Sequence, residues 1–303
     1  MEADRLWDVV IVGAGMAGLA TAIWARRLGL EALVLEREDR AGGQLNQIGG
    51  RIFDYPGLDL PNGQALTDRL LRQASEAGAL VRLGVPVSAV SAAERTCITP
   101  EGPVTGRALV IATGLRARRL GVDGEQELYQ GGWVRRPSHD LPWFRSRRVA
   151  VIGGGDRAVE NAGMLLPVAR RVHLLSRSPL KARPDLSAPV LASEKLVHHE
   201  HATVARFLPH TEAVTLEVVQ GDRLWDLEVD AVCIYIGNVP NSQLVAGQVE
   251  MDPEGYIRTD RYGQTSVPAV FAAGDVCTPP AYQSLVMAGG QAMAVAKRIA
   301  LSL

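Results

Sequence analysis

Val149–Glu160 reads VAVIGGGDRAVE, and Val9–Ala20 reads VVIVGAGMAGLA. Each is an apolar strand that runs into closely spaced glycines and then into a helix start. In the earlier stretch the glycines fall as Gly13-x-Gly15-x-x-Gly18. The first makes a tight turn, the second lets the backbone approach a pyrophosphate, and the third lets helix and strand pack closely. Unpaired N–H groups and the positive dipole end at such a helix start attract phosphate. The later turn reads Gly153-x-Gly155-x-x-Ala158, with Asp156 and Arg157 beside its last glycine.

The strand after each turn separates the two. In EALVLERED the strand ends at Glu36, where a carboxylate would accept hydrogen bonds from ribose hydroxyls. The spacing that carries Gly13 to Glu36 carries Gly153 to Ser176, followed by Arg177. An acid there would repel a ribose 2′-phosphate, whereas serine and arginine would hold it. The chain is therefore expected to be α/β, with two Rossmann-like dinucleotide-binding domains. FAD is expected at the first turn and NADP(H) at the second, with electrons passing between them. The turn itself recognises only pyrophosphate, so another dinucleotide at the second site, even a second FAD, stays open.

The totals exclude several classes. The chain has 303 residues, enough for about two domains. Its 32 basic and 33 acidic residues leave a formal net charge of −1, which favours neither nucleic acid nor an acidic membrane. The start, MEADRLWDVVIVGAG, has acids where a secretory signal carries positive charge. No apolar run approaches the roughly 20 residues of a membrane span. Cys97, Cys233 and Cys277 are scattered, with no Cys-x-x-Cys, which fits a reducing cytoplasm.

The remaining motifs narrow the class. RAGGQL at Arg40–Leu45, FDYPG at Phe53–Gly57, LVIATG at Leu109–Gly114 and AVCIYIGNVPN at Ala231–Asn241 are followed by TSVPAVFAAGDVC at Thr265–Cys277 and YQSLVMAGGQA. In this order the chain resembles the low-molecular-weight thioredoxin reductases over nearly its whole length. That resemblance implies a discontinuous FAD domain, 1–117 plus 246–303, around an inserted NAD(P) domain, 118–245, in a homodimer. It implies that Gly13, Ala14, Gly15 and Gly18 hold the FAD pyrophosphate and that Glu36 holds the ribose. Gly43, Gln44 and Leu45 would line the flavin, with Thr113 and Gly114 close to the dinucleotide. Gly274 and Asp275 would meet the ribityl or pyrophosphate end, and Gln283 and Ser284 would place backbone donors near the flavin pyrimidine.

One departure bears on function. The family has a Cys-x-x-Cys-Asp whose acid stands thirteen residues before the second turn, as Asp140 stands before Gly153. Here the stretch is RPSHD, so Arg136 and His139 occupy the cysteine positions. A redox disulfide needs two thiols within bonding reach, and neither side chain replaces one. The surrounding WVRRPSHDLPW suggests other uses. Trp133 or His139 could cover the flavin, His139 with Asp140 could relay a proton, and the arginines could meet an acidic carrier such as ferredoxin or flavodoxin. Reductases of the ferredoxin or flavodoxin type also lack the dithiol, but they usually carry a C-terminal flavin-stacking extension, which is not expected here because this sequence ends with QAMAVAKRIALSL. Reduced ferredoxin as donor and a non-enzymatic dinucleotide sensor are the competing readings. VHHEHA at Val197–Ala202 would put His199 and His201 on one strand face and His198 on the other; with no further ligands in the sequence, no metal is expected.

Overall fold

The computed structural model describes residues 5–52 and 54–303. Phe53 of the FDYPG motif and the first four residues of the expected non-signal start lie outside the described residues.

The chain begins with β1 (Leu6–Val12), α1 (Met16–Arg27), β2 (Ala32–Leu35), α2 (Gly63–Glu76) and β3 (Leu80–Arg82). A meander follows, β4 (Ala89–Ser91), β5 (Thr96–Thr99) and β6 (Gly102–Ile111). Strands pair in the order β3-β2-β1-β6, all parallel. The first half of β6 pairs antiparallel with β5 and its second half parallel with β16 (Val270–Ala272). Val9, Val10 and Ile11 are all fully buried because helices cover one face of this sheet and loops the other. The terminal helix α7 (Leu285–Ala300) packs on α1. It buries Ala288, Ala292, Val295, Ala296 and Ile299, a stripe at helical spacing whose small residues allow close approach.

The chain leaves this unit through β7 (Leu115–Ala117) and returns through β15 (Asn238–Pro240), which pair with each other. Between them lie α3 (Glu125–Gln130), α4 (Pro137–Asp140), β8 (Arg148–Ile152), α5 (Asp156–Leu165), β9 (Arg171–Ser176), α6 (Pro184–Leu191) and β10 (Leu196–Glu200). An antiparallel meander of β11 (Ala202–Pro209), β12 (Val214–Gln220) and β13 (Arg223–Val229) then leads into β14 (Ala231–Ile234). The parallel order is β10-β9-β8-β14. This repeats the first unit: β8, β9 and β10 stand for β1, β2 and β3, and β13 with β14 stands for the long β6. Asp230 marks the break between them. Its carboxylate accepts from the Arg148 backbone N–H at 2.7 Å and from the Arg148 guanidinium at 2.8 Å. Burial pushes the Asp230 carboxyl up, but the Arg148 hydrogen bonds outweigh it and leave it below the ordinary range.

Two compact units result, residues 1–116 with 239–303, and residues 117–238. The boundary expected from sequence at 246 lies seven residues after this division. The segment in between holds Val245, fully buried in the core that contains Val10, Leu109 and Val270.

Candidate functional site

The first turn is built on steric limits. Gly13 has φ +107°, and a Cβ there would stand 2.5 Å from the Ala112 carbonyl oxygen. A Cβ on Gly18 would stand 1.8 Å from the Gly13 carbonyl oxygen, so helix and turn touch through that glycine. Gly15 is open, with nothing nearer than the Gly42 oxygen at 3.9 Å. It caps α1 without a side-chain hydrogen bond, and the first helical turn has no acid. The N–H groups at this end are therefore available to an anion. Glu36 is 8% exposed. Its carboxylate accepts from the Ala14 N–H at 2.8 Å and the Glu38 N–H at 3.1 Å, which fixes it at the end of β2. Ala14, expected at the pyrophosphate, gives its N–H to Glu36 here.

The scattered motifs converge on that turn. The Gly42 N–H donates to the Ala14 carbonyl, and a Cβ on Gly43 would lie 3.5 Å from the Gly15 Cα. Gln44 donates to the Asp275 carboxylate at 2.9 Å, and Leu45 is buried beside it. Gly114, with φ +62°, faces the Gln44 amide. The Thr113 hydroxyl donates to the Asn241 carbonyl at 2.7 Å, and the Asn241 backbone N–H donates to the Gly114 carbonyl. Thr113 therefore anchors the returning chain. The Gly274 N–H donates to Gln291 Oε1 at 2.8 Å, and the Thr278 hydroxyl donates to the Gly274 carbonyl. Gln283 donates to the Thr278 carbonyl at 2.9 Å, and the Ser284 hydroxyl caps α7 by accepting from the Met287 N–H. Asn241, Thr278 and Gln291 were not singled out from sequence; their signal was a polar residue next to a motif, within NVPN, GDVCT and GGQA. A glycine cradle, an uncapped helix start and a fixed carboxylate at the next strand end fit an FAD pyrophosphate and ribose.

The second turn repeats the register. Gly13 donates its N–H to the Leu35 carbonyl, and Gly153 donates its own to the Leu175 carbonyl. Glu36 and Ser176, the next residues, therefore occupy equivalent positions, as the common spacing implied. Gly153 has φ +144°, and its Cβ would meet the Tyr235 carbonyl oxygen at 2.2 Å. Gly155 has open space around it, and Ala158 is buried under the turn. Arg157 is exposed. Asp156, at the helix start, would repel phosphate, but its carboxylate accepts from the Arg183 backbone N–H at 2.9 Å and lies 3.4 Å from the Arg183 guanidinium. The Lys181 N–H reaches the Gly154 carbonyl at 2.7 Å, so the 177–183 segment lies over the turn. Arg177, Lys181 and Arg183 are all exposed on it. Lys181 and Arg183 were missed in sequence because only the fold lays them beside the glycines.

Ser176 departs from expectation. It is 2% exposed, and its hydroxyl lies 2.9 Å from Nε2 of His198. The histidine run also differs from its reading. Strand β10 stops at Glu200, and His201 sits in a turn at φ +57°, 3.5 Å from the Glu200 carboxylate. His199 does not share a strand face with it. The His199 ring lies 3.1 Å from the His173 ring nitrogen, and its centroid lies 4.9 Å from that of Trp225. Among the described residues no cluster of three or more histidine, cysteine or acidic side chains could hold a metal.

The stretch in place of the dithiol is internally packed. Trp143 lies between the guanidiniums of Arg135 and Arg147, 4.0 and 3.9 Å from its ring centre. Trp133 packs against the core of Leu128, Ile152 and Val232. The Asp140 carboxylate faces Arg135 at 3.6 Å, and His139 is exposed beside it on α4. His139 and Asp140, the expected proton relay, are successive residues of this short helix and point in different directions. Burial pushes Cys97 and Cys277 up to about 12 and raises Cys233 further. Cys277 donates to the Gly274 carbonyl.

Paired glycine turns of this register, each followed by a strand-end ribose position, define a protein with two dinucleotide-binding folds. The chain belongs to the pyridine nucleotide-disulphide oxidoreductase family, whose pattern matches residues 7–292. It is 34% identical over 279 residues to a thioredoxin reductase of Listeria monocytogenes, covering 90% of this chain and 86% of that one. Its fold is similar to the thioredoxin reductase of Lactococcus lactis, with TM-score 0.84, 26% identity and coverage of 98% and 100% of the two chains. A bacillithiol disulfide reductase of Bacillus cereus, at 20% identity and TM-score 0.82 over 99% of this chain and 100% of the other, shares the fold. The protein is an FAD-dependent NAD(P)H oxidoreductase of thioredoxin reductase type. Among the described residues no helix is long and apolar enough to cross a membrane.

Proposed function

We propose that this enzyme takes electrons from NADPH and passes them, by way of FAD, to an acceptor outside the chain, and that it does not reduce thioredoxin by the in-chain dithiol route. The carrying observation is the RPSHD stretch, which has Arg136 and His139 where the family has its cysteines. The cysteines the chain does have support the same reading. Cys97 and Cys233 are fully buried, Cys277 is largely so, and each is held protonated at neutral pH.

When bound, the flavin supplies a two-electron acceptor for a nicotinamide hydride and releases those electrons to a second substrate. The protein's part is binding and orientation. Gly13, Gly15, Gly18 and the start of α1 hold the FAD pyrophosphate, Glu36 the ribose, and Gln44 with Asp275 the inner end. Gly153, Gly155 and the start of α5 hold the NADPH pyrophosphate, while Arg177, Lys181 and Arg183 supply positive charge for a phosphorylated ribose. A homodimer is part of the proposal. The ferredoxin or flavodoxin partner gains no support from the relatives and is left out.

The test is anaerobic stopped-flow mixing with NADPH or NADH, following loss of the flavin absorbance. Bleaching by NADPH should exceed that by NADH at least about tenfold, the worth of one charge-assisted phosphate contact. Absence of bleaching by either would overturn the proposal, as would turnover with thioredoxin.

A further inference from the structure

The end of β9 holds an arrangement that the first unit lacks. In the first unit the strand-end residue, Glu36, reaches its backbone partners by itself. In the second unit a short hydroxyl stands there, and its polar partner arrives from the next strand. β10 pairs in parallel with β9, with His198 opposite Leu174. Ser176, two residues beyond Leu174, lies on the same sheet face as His198. The hydroxyl and Nε2 meet at 2.9 Å. Ser176 also abuts the turn, since a Cβ on Gly154 would lie 3.4 Å from the Ser176 Cβ. β10 is the edge strand of its sheet, which leaves the imidazole half-buried.

We propose that His198, acting through Ser176, is a specificity-determining residue for the ribose 2′-phosphate, and that the phosphate binds together with a proton on this imidazole. Donation from Nε2–H to Ser176 Oγ leaves the hydroxyl proton to point at a ligand oxygen. An imidazolium then adds a positive charge beneath that hydroxyl, which a neutral ribose 2′-hydroxyl cannot exploit.

The charges around the ring set the sign. Burial holds the His198 imidazole below its ordinary value, while Glu200, on the same strand face, favours the charged form. The segment over the turn carries Arg177, Lys181 and Arg183, and Asp156 and Asp185 both face the Arg183 guanidinium. His173 and His199 engage one another on the opposite sheet face. The ring is thus neutral without ligand near pH 7. A dianionic phosphate among these groups raises its proton affinity.

The inference rests on the NADPH reading, and the experiment separates the two. Holoenzyme is titrated by calorimetry at pH 7 with 2′,5′-ADP and with 5′-AMP, in buffers of different ionisation enthalpy. The wild type should bind 2′,5′-ADP more tightly and take up a proton with it. His198→Gln keeps an N–H for Ser176 but does not titrate. It should lose that uptake and about tenfold in 2′,5′-ADP affinity, with 5′-AMP affinity and bound FAD unchanged. Ser176→Ala should lose the same 2′,5′-ADP preference. Equal binding of both nucleotides by the wild type would overturn the NADPH reading and this inference together. A clear preference in the wild type that survives in His198→Gln, with its proton uptake, would overturn this inference alone.

Discussion

Glu36 and Ser176 hold one position in two copies of a turn, and what surrounds each differs. Glu36 is tied down by two backbone N–H groups, so its loss should be felt at the FAD. Glu36→Ala is expected to purify with reduced FAD content, read from the ratio of flavin to protein absorbance, because the Ala14 N–H loses its partner and the ribose its acceptor. His173 carries a stability consequence. Burial, reinforced by His199 and by Arg171 and Arg148, pushes it down to about 4. Between an unfolded value near 6.5 and that folded value the unfolded chain binds the extra proton, so stability falls as pH drops through this window. His173→Gln should flatten the melting temperature against pH between about 6.5 and about 4, measured by thermal scans. An unchanged slope would assign acid sensitivity elsewhere.

At the scale of elements, the two strand–turn–helix units are tested by their glycines. Gly153 and Gly155 look alike in sequence, yet a Cβ on Gly153 meets the Tyr235 carbonyl at 2.2 Å and one on Gly155 meets nothing within 4 Å. Gly153→Ala should cost stability by a few kcal/mol, the range for strain and overpacking, and lower the melting temperature. Gly155→Ala should leave melting nearly unchanged while weakening 2′,5′-ADP binding, since the added methyl faces the phosphate path. Equal effects of the two would show that the turn does not divide its glycines between folding and ligand. The glycine pattern made the turns and their strand-end positions legible in the sequence. It could not show that Ala14 spends its N–H on Glu36, or that Lys181 and Arg183 lie over the second turn, since both depend on how a loop folds back.

The molecule as a whole is a family scaffold whose sequence contains no Cys-x-x-Cys. Placing cysteines with Arg136→Cys, at the residue that precedes α4, and His139→Cys, within it, should let the enzyme accept a second electron pair in anaerobic dithionite titration, beyond the one pair that reduces FAD. No added capacity would mean that these positions do not take the place of the dithiol. The same stretch in the wild type is held by Arg135, Trp143 and Arg147 stacking, which gives it a structural role of its own. Trp133, read from sequence as a possible flavin cover, packs against the core around Leu128.

The sequence alone determined the α/β class, the two dinucleotide turns, their common register and the missing dithiol, because each is written in local spacing: strand period, glycine positions and residue identity. Tertiary structure decided which polar groups meet. Ser176 is held by His198 from the neighbouring strand, Asp140 by Arg135, Thr113 by Asn241, and His199 by His173. Hydrogen-bond partners in a folded chain are chosen by proximity across strands and loops, and the spacing of residues along the chain does not encode that proximity.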